Sequence, residues 1–417
     1  MEDGFESGID SATGESGVTG KGARIVVTAI QQAVDAACGC SNLAYEEAKY
    51  LARTGNEVWL VAPAIAANAA EFEPRDGVNL LRYQVPRFQA LDPRRAWAHQ
   101  KRARAVLKRH LREPVDLVHG HVPLPFQAVC NIYRGRARRC YSVHSPVMKE
   151  MEIEWPKDGA RGWLRHAAGL PWLNHIERNC MVSSDCVTAF SEFTKELLGE
   201  VHGSRIAEKV ATIPGWVDLE RFVVIENRRT AKLQLGWPTD VPILFTLRRL
   251  ARRMGIENLL RATRNLLDRR LDFRLIIGGT GPLGPEMQRL AQELQLLNKV
   301  RFLGYVPDPD VPLMYAACDA FVLPTAALEC FGLTAIEALA CGRPVLASPT
   351  GAIPEILNRF EPRWTAQAAS EEAITELLAD FLLGKLPIHS AEQLRALVAR
   401  HYDSNAVIPR LARLLLN

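Results

Sequence analysis

Apolar residues in this chain fall into short β-branched runs that alternate with stretches spaced at three and four. Residues 24–30 (RIVVTAI) predict a first strand, and 42–54 a helix with one face framed by Leu43, Glu47 and Leu51. Gly55 and Asn56 end that helix, and 57–62 (EVWLVA) predict a second strand. Further strands are expected at 115–118, 139–143, 186–190 and 209–213. After Trp216 the alternation restarts, with strands at 241–247, 273–277, 300–303, 320–323 and 344–347. Helices are expected between them at 256–267, 283–296 and 332–340. Such alternation implies parallel sheets covered on both faces. Two runs, broken near 214–220, imply an α/β protein of two doubly wound Rossmann-like domains. Ligands of such sheets bind beyond the carboxyl ends of the strands, so the site is expected in a cleft between the domains. The domains are placed at 23–215 and 216–388. A last segment, 389–417, carries Leu394, Leu397, Val398, Ile408, Leu411 and Leu415 at helical spacing.

Composition narrows the class. At 417 residues, 48% hydrophobic and 24% charged, the chain can bury a large core without metal or disulfide staples. No run approaches 18 consecutive apolar residues, which excludes a helical membrane span. Residues 1–22 hold five acids, one base and six glycines, and read as a disordered tail rather than a signal peptide. Nine cysteines, an odd number without a C-x-x-C pair, read as thiols of the reducing cytoplasm.

The densest group of chemistry-bearing residues runs from 324 to 355 (PTAALECFGLTAIEALACGRPVLASPTGAIPE). Glu329 falls in a loop leaving a strand, and Glu337 about one turn inside the following helix. Gly332 and Leu333 fall at that helix's start, where free N–H groups and the dipole favour an anion. One carboxylate can face ligand hydroxyls while the helix start holds phosphate, and a deeper one can accept from ribose. Two glutamates alone would be an acidic loop and an exposed helix face. Phe331, Gly332, the Ala340–Cys341–Gly342 run and Pro344–Val345 in register raise them above that.

This stretch resembles the signature of the retaining glycosyltransferases of family 4, E-x7-E with FGL inside it and E-A-x-A-x-G-x-P-V continuing it. Residues 187–198 (VTAFSEFTKELL), 213–222 (IPGWVDLERF), 275–282 (LIIGGTGP), 300–304 (VRFLG) and 116–121 (DLVHGH) extend the resemblance in order. It implies the GT-B fold, with the last segment crossing back to the N-terminal domain. It also implies transfer of a sugar from a nucleotide-diphosphate sugar, UDP- or GDP-linked, to an acceptor hydroxyl with retained configuration, no metal and no cofactor.

The resemblance assigns roles by position. Glu329 is expected at the donor sugar, the Gly332 and Leu333 amides on its diphosphate, and Glu337 on the ribose. Arg249 stands where the family's G-R-L arginine grips the diphosphate, offsetting charge on the departing phosphate. The family's lysine before the loop glycine is replaced by Met254, so the second cation is expected from Arg253. His121 ends a strand on the cleft side and is expected to point toward the donor sugar; His144 ends the next strand and lines the same cleft. The family's G-G-x-E-R loop is reduced to Cys38–Gly39–Cys40–Ser41–Asn42, with Gly39 left to approach a phosphate or acceptor. Trp216 is read as a packing wedge at the hinge, and Gly281, in the Gly278–Gly281 run, as backbone near the pyrophosphate.

Other features imitate sites. Asp308–Pro309–Asp310 looks like a metal-binding D-x-D but reads as a turn capping the next helix. Cys38 and Cys40 have poor ligand spacing. Residues 87–112 carry nine Arg or Lys against Asp92, interrupted by Trp97, Val106 and Leu107. They read as a solvated face, or as an amphipathic helix on the anionic inner face of a membrane; no nucleic acid is expected. Two alternatives to transfer are a degenerate donor-binding subunit and a sugar-nucleotide epimerase or hydrolase on the same fold.

Overall fold

The computed structural model describes residues 22–35, 38–86 and 94–417, apart from the side chain of Arg95. The expected tail and the first residues of the basic stretch, 87–93, lie outside them. The N-terminal sheet contains β1 (Arg24–Thr28), β2 (Glu57–Pro63), β3 (Phe72–Arg75), β4 (Val78–Tyr83), β5 (Leu117–Gly120), β6 (Arg138–Val143), β7 (Cys186–Ala189) and β8 (Val210–Thr212). Their order is β3-β4-β2-β1-β5-β6-β7-β8, all parallel except the β3–β4 pair. The C-terminal sheet contains β9 (Ile243–Leu247), β10 (Arg274–Gly278), β11 (Val300–Gly304), β12 (Ala320–Leu323) and β13 (Val345–Ala347), ordered β11-β10-β9-β12-β13. Both are doubly wound sheets, and β9, β10 and β12 are almost wholly buried, as strands covered on both faces must be.

Two features differ from the sequence reading. The β3–β4 hairpin was not expected; its turn, Asp76–Gly77, has both residues at positive φ (53° and 80°), which is the Asp-Gly hairpin chemistry. The segment 389–417 is also not one unit. Its helix Ala391–Tyr402 packs on the C-terminal-domain helix Leu333–Ala340, and only Ser404–Leu416 lies on the N-terminal domain, against the helix Gly39–Arg53 and β5.

The chain therefore passes between domains twice, and the two crossings touch. The Val217 amide donates to the Tyr402 carbonyl at 2.9 Å and the Ser404 amide to the Val217 carbonyl at 3.0 Å. Beside this pairing Gly215 is obligatory, because a Cβ there would lie 2.6 Å from the Phe331 ring and 2.9 Å from Leu333. Trp216 is buried next to it, edge-on to Phe190.

Val407, Ile408, Leu411 and Leu415 of the final helix are buried. Leu411→Ala is expected to destabilise the protein by about 2–5 kcal/mol, the usual cost of emptying a packed leucine site. Chemical denaturation of the purified variant measures this, with N-terminal-domain unfolding leading the loss.

Candidate active site in the interdomain cleft

On the C-terminal side, the chain leaves β12 at Pro324 and turns through Leu328 (φ 55°) and Gly332 (φ 103°) into the helix Leu333–Ala340. A Cβ on Gly332 would meet Ile353 at 2.7 Å, so glycine is needed both for its backbone angle and for its close packing. This turn folds Glu329 back under the helix start. Its carboxylate accepts from Arg248 Nη2 at 2.5 Å and from the Thr325 hydroxyl at 3.1 Å. Arg248 also donates to the Thr334 hydroxyl on the helix's first turn (3.3 Å), while its buried Nε has no partner among the described residues.

Arg248, not Arg249, is therefore the guanidinium beside Glu329; Arg249 is exposed. The two are adjacent at the end of β9, and alternation of side chains at a strand's end sends them to opposite sides. Arg253 is also not at the helix start. It donates to Glu150 of the N-terminal domain (2.9 Å), lies 3.6 Å from Glu154, and donates to the Leu328 carbonyl. Gly281 packs on the chain rather than lining the cleft cavity: a Cβ there would sit 2.3 Å from the Leu250 carbonyl oxygen. Asp308 does not cap a helix but pairs with Arg221 at 2.9 Å.

Glu337 lies one turn into its helix and accepts from the Tyr315 hydroxyl at 2.8 Å. Burial raises its carboxyl above the ordinary range, against the pull of Tyr315 and Arg221. It lines a cavity of about 330 Å³ between the domains, together with Leu333, Trp216, Arg221 and, from the opposite domain, Gly39 and Lys49. Gly39 begins the helix Gly39–Arg53, and a Cβ there would be 3.0 Å from Leu333. Two helix starts thus face each other across the cavity, each with free N–H groups.

The N-terminal wall holds the histidines. Glu47, buried in the helix Gly39–Arg53, accepts from His119 Nδ1 (2.6 Å) and His121 Nε2 (3.1 Å). Burial would raise the Glu47 carboxyl, but the two imidazoles outweigh it and hold it at about 2. His121 Nδ1 lies 2.8 Å from His144 Nε2. His121, expected to point toward the donor sugar, is covered in this structure. It is 2% exposed with both ring nitrogens engaged, and the half-buried His144 stands in front of it. His144 packs on Phe190, which meets Phe331 and Trp216.

Polar contacts close the cleft around these groups. The Ser191 and Thr194 hydroxyls donate to the carbonyl of Cys330, the residue after Glu329, at 2.6 and 2.9 Å. Glu355 accepts from the Glu192 and Phe193 amides, a carboxylate at the positive end of the helix Glu192–His202.

Residues 38–221 match the family model described as Glycosyltransferase Family 4, and residues 227–397 the one described as Glycosyl transferases group 1. With both halves matched in order, the chain belongs to the family 4 glycosyltransferases, and its fold is GT-B. It is 30% identical over 205 residues to the GDP-mannose-dependent alpha-(1-6)-phosphatidylinositol monomannoside mannosyltransferase of Mycolicibacterium smegmatis, covering 48% of this chain and 53% of that protein. It is 33% identical over 300 residues to D-inositol 3-phosphate glycosyltransferase 1 of Catenulispora acidiphila, covering 69% of this chain and 65% of that one. The chain spans about half the length of the curated relatives it matches. Among solved structures, sucrose-phosphate synthase from Thermosynechococcus elongatus superposes with a TM-score of 0.77 at 20% identity, over 94% of this chain and 98% of that one. The glycosyltransferase WaaG superposes with 0.71 at 18%, over 94% and 99%.

Arg248→Ala strips the buried Glu329 of its counter-charge, and such losses cost about 3–5 kcal/mol. Arg249→Ala, at an exposed position, is expected to stay within about 0.5 kcal/mol of the parent. Denaturation midpoints of the two variants, measured side by side, check the assignment; equal midpoints would reject it.

Proposed function

We propose that this protein transfers a glycosyl group from a nucleotide-diphosphate sugar to an acceptor hydroxyl, retaining the anomeric configuration and using no metal. The observation that carries the reading is the juxtaposition of Arg248, Glu329 and the start of the helix Leu333–Ala340 at the cleft, with Glu337 on the adjoining cavity. A guanidinium and free helix amides suit a diphosphate and would offset the charge that grows on it as the glycosidic bond breaks. Glu329 can accept from sugar hydroxyls, and Glu337 can accept from a ribose.

The donor named for one relative, GDP-mannose, makes guanine the base to test first, with uracil and adenine beside it. One observation favours the donor-binding-subunit reading: Arg253 is tied to Glu150 and Glu154 rather than free at the helix start. The two readings separate on turnover.

The helix Arg94–His110 buries Ala98, Ala103, Val106 and Leu107, and turns outward Lys101, Arg102, Arg104 and a 60%-exposed Trp97 with Lys101 over its ring. We place this face on the anionic inner surface of a membrane, from the cytoplasmic side. Among the described residues no helix is long and apolar enough to cross one. Co-sedimentation with phosphatidylglycerol vesicles, lost on adding salt and absent with phosphatidylcholine, is the expected result.

A thermal-shift screen with GDP, UDP and ADP is expected to single out one nucleotide, since a ligand at 100 times its Kd adds about 2.7 kcal/mol to stability. With that nucleotide's sugars, Glu329→Ala is expected to lose at least a hundredfold in transfer, and EDTA to leave it unchanged. Binding without any turnover would select the subunit reading.

A further inference from the structure

Glu47, His119, His121 and His144 form a chain from the buried interior of the N-terminal domain to the cleft, and its hydrogen-bond directions can be worked out from one end. The Glu47 carboxylate has only acceptor oxygens, so both rings that touch it must donate: His119 through Nδ1–H and His121 through Nε2–H. A neutral His121 with its proton on Nε2 has a bare Nδ1. The contact at Nδ1 must then be filled by His144 Nε2–H, at 2.8 Å. His119 is fixed in the same way from its other side, with Nε2 accepting from the Ser142 hydroxyl at 2.8 Å, and Thr188 2.5 Å behind that.

The ring that reaches the cleft is the last one. His144 lies against Phe190, which packs on Phe331 of the opposite domain, two residues from Glu329. His144 is therefore on the sugar side of the proposed site. We infer that Glu47 is a positioning residue: through His121 it holds the His144 proton on Nε2, so that His144 Nδ1 is a hydrogen-bond acceptor for a hydroxyl of the donor sugar. This rests on the glycosyltransferase reading for the sugar, but the direction of the chain does not.

Titratable groups facing the chain are Glu47 and Cys40 of the helix Gly39–Arg53, His119 of β5, Glu150 beside Cys40, and Cys330 across the cleft. Burial first, then the neighbouring imidazoles, lower His121 and His144 below the ordinary histidine range, while Glu47 alone opposes this. Both rings are thus neutral at pH 7, the state in which Nδ1 of His144 can accept. Among the described residues, Glu47, His119 and His121 also bring ligand atoms within 4.8 Å of one another. Here those atoms are engaged in the hydrogen bonds just given.

The test uses full-length protein labelled with 15N-histidine, with His121→Gln and His144→Gln to assign the rings. Long-range 15N–1H spectra at pH 7 are expected to show both rings neutral and protonated on Nε2. In Glu47→Gln, which keeps the shape but adds an amide donor, the tautomer of His121 or His144 should change. A wild-type His144 protonated on Nδ1, or tautomers unmoved in Glu47→Gln, would overturn the proposal, as would a stoichiometric transition metal by elemental analysis. His144→Gln should weaken GDP-mannose or UDP-glucose, whichever base the screen selects, about tenfold while leaving free GDP or UDP unchanged; equal losses for both would place His144 away from the sugar. Glu47→Gln should weaken the same sugar nucleotide about as much as His144→Gln does while leaving free GDP or UDP unchanged, and Glu47→Asp should recover part of that affinity and of the transfer rate. In transfer assays the acid limb of Glu47→Gln should move to lower pH, because the lost carboxylate no longer raises the imidazoles; a purely structural role would lower the plateau and leave the limb in place. If the wild-type chain binds no nucleotide, the glycosyltransferase reading falls, and the tautomer spectra still decide the relay.

Discussion

Everything at the cleft depends on one backbone pairing, that of Val217 with Tyr402 and Ser404. A parallel sheet gathers its ligand-binding ends on one edge, and the helices that follow begin there with unsatisfied amides. Two such edges make a site only if they are turned toward each other. A single linker would leave their orientation free. By crossing twice, and by joining the two crossings with main-chain hydrogen bonds, the chain sets the Gly39 and Leu333 helix starts opposite one another. The buried face of the helix Ser404–Leu416 anchors the second crossing to the N-terminal domain.

The domains meet through an apolar seam and a set of polar contacts beside it. One continuous apolar cluster runs from the N-terminal domain through Phe190, Trp216 and Phe331 into the C-terminal domain, and a second lies within the N-terminal domain. The polar contacts across the cleft are Arg253 with Glu150 and Glu154, Ser191 and Thr194 on the Cys330 carbonyl, and Glu355 at a helix start. Partly solvated ion pairs and hydrogen bonds of this sort contribute little individually. A ligand that bridges both walls can bias such a closure through its higher affinity for the closed state.

Buried charge at the site is balanced on each wall separately. Glu329 has Arg248 on one side of the cleft, and Glu47 has His119 and His121 on the other. An unpaired carboxylate at either depth would be costly. Each pairing also sets direction: a guanidinium beside a helix start presents positive charge to an anion, and a carboxylate under two imidazoles orders their protons.

Strand–helix alternation, the two-domain division and the cluster from Glu329 to Val345 were legible in the sequence, because period and spacing are local properties of the chain. The sequence also put Glu47 between Leu43 and Leu51 on one helical face. Its partners were not legible, since His119 and His121 lie more than seventy residues away and only the parallel pairing of β1 with β5 brings that strand beside the helix. The choice between Arg248 and Arg249 was likewise out of reach. In a strand buried on both faces the apolar pattern does not tell the two sides apart, and a resemblance aligned on G-R-L selects the second arginine. Only the tertiary structure decides it, by placing Glu329 and Thr334 on the side to which Arg248 points. Sequence alone determined which groups are present and in which element; which of them meet was decided by the packing of sheet on helix and domain on domain, because those distances depend on the fold and not on spacing along the chain.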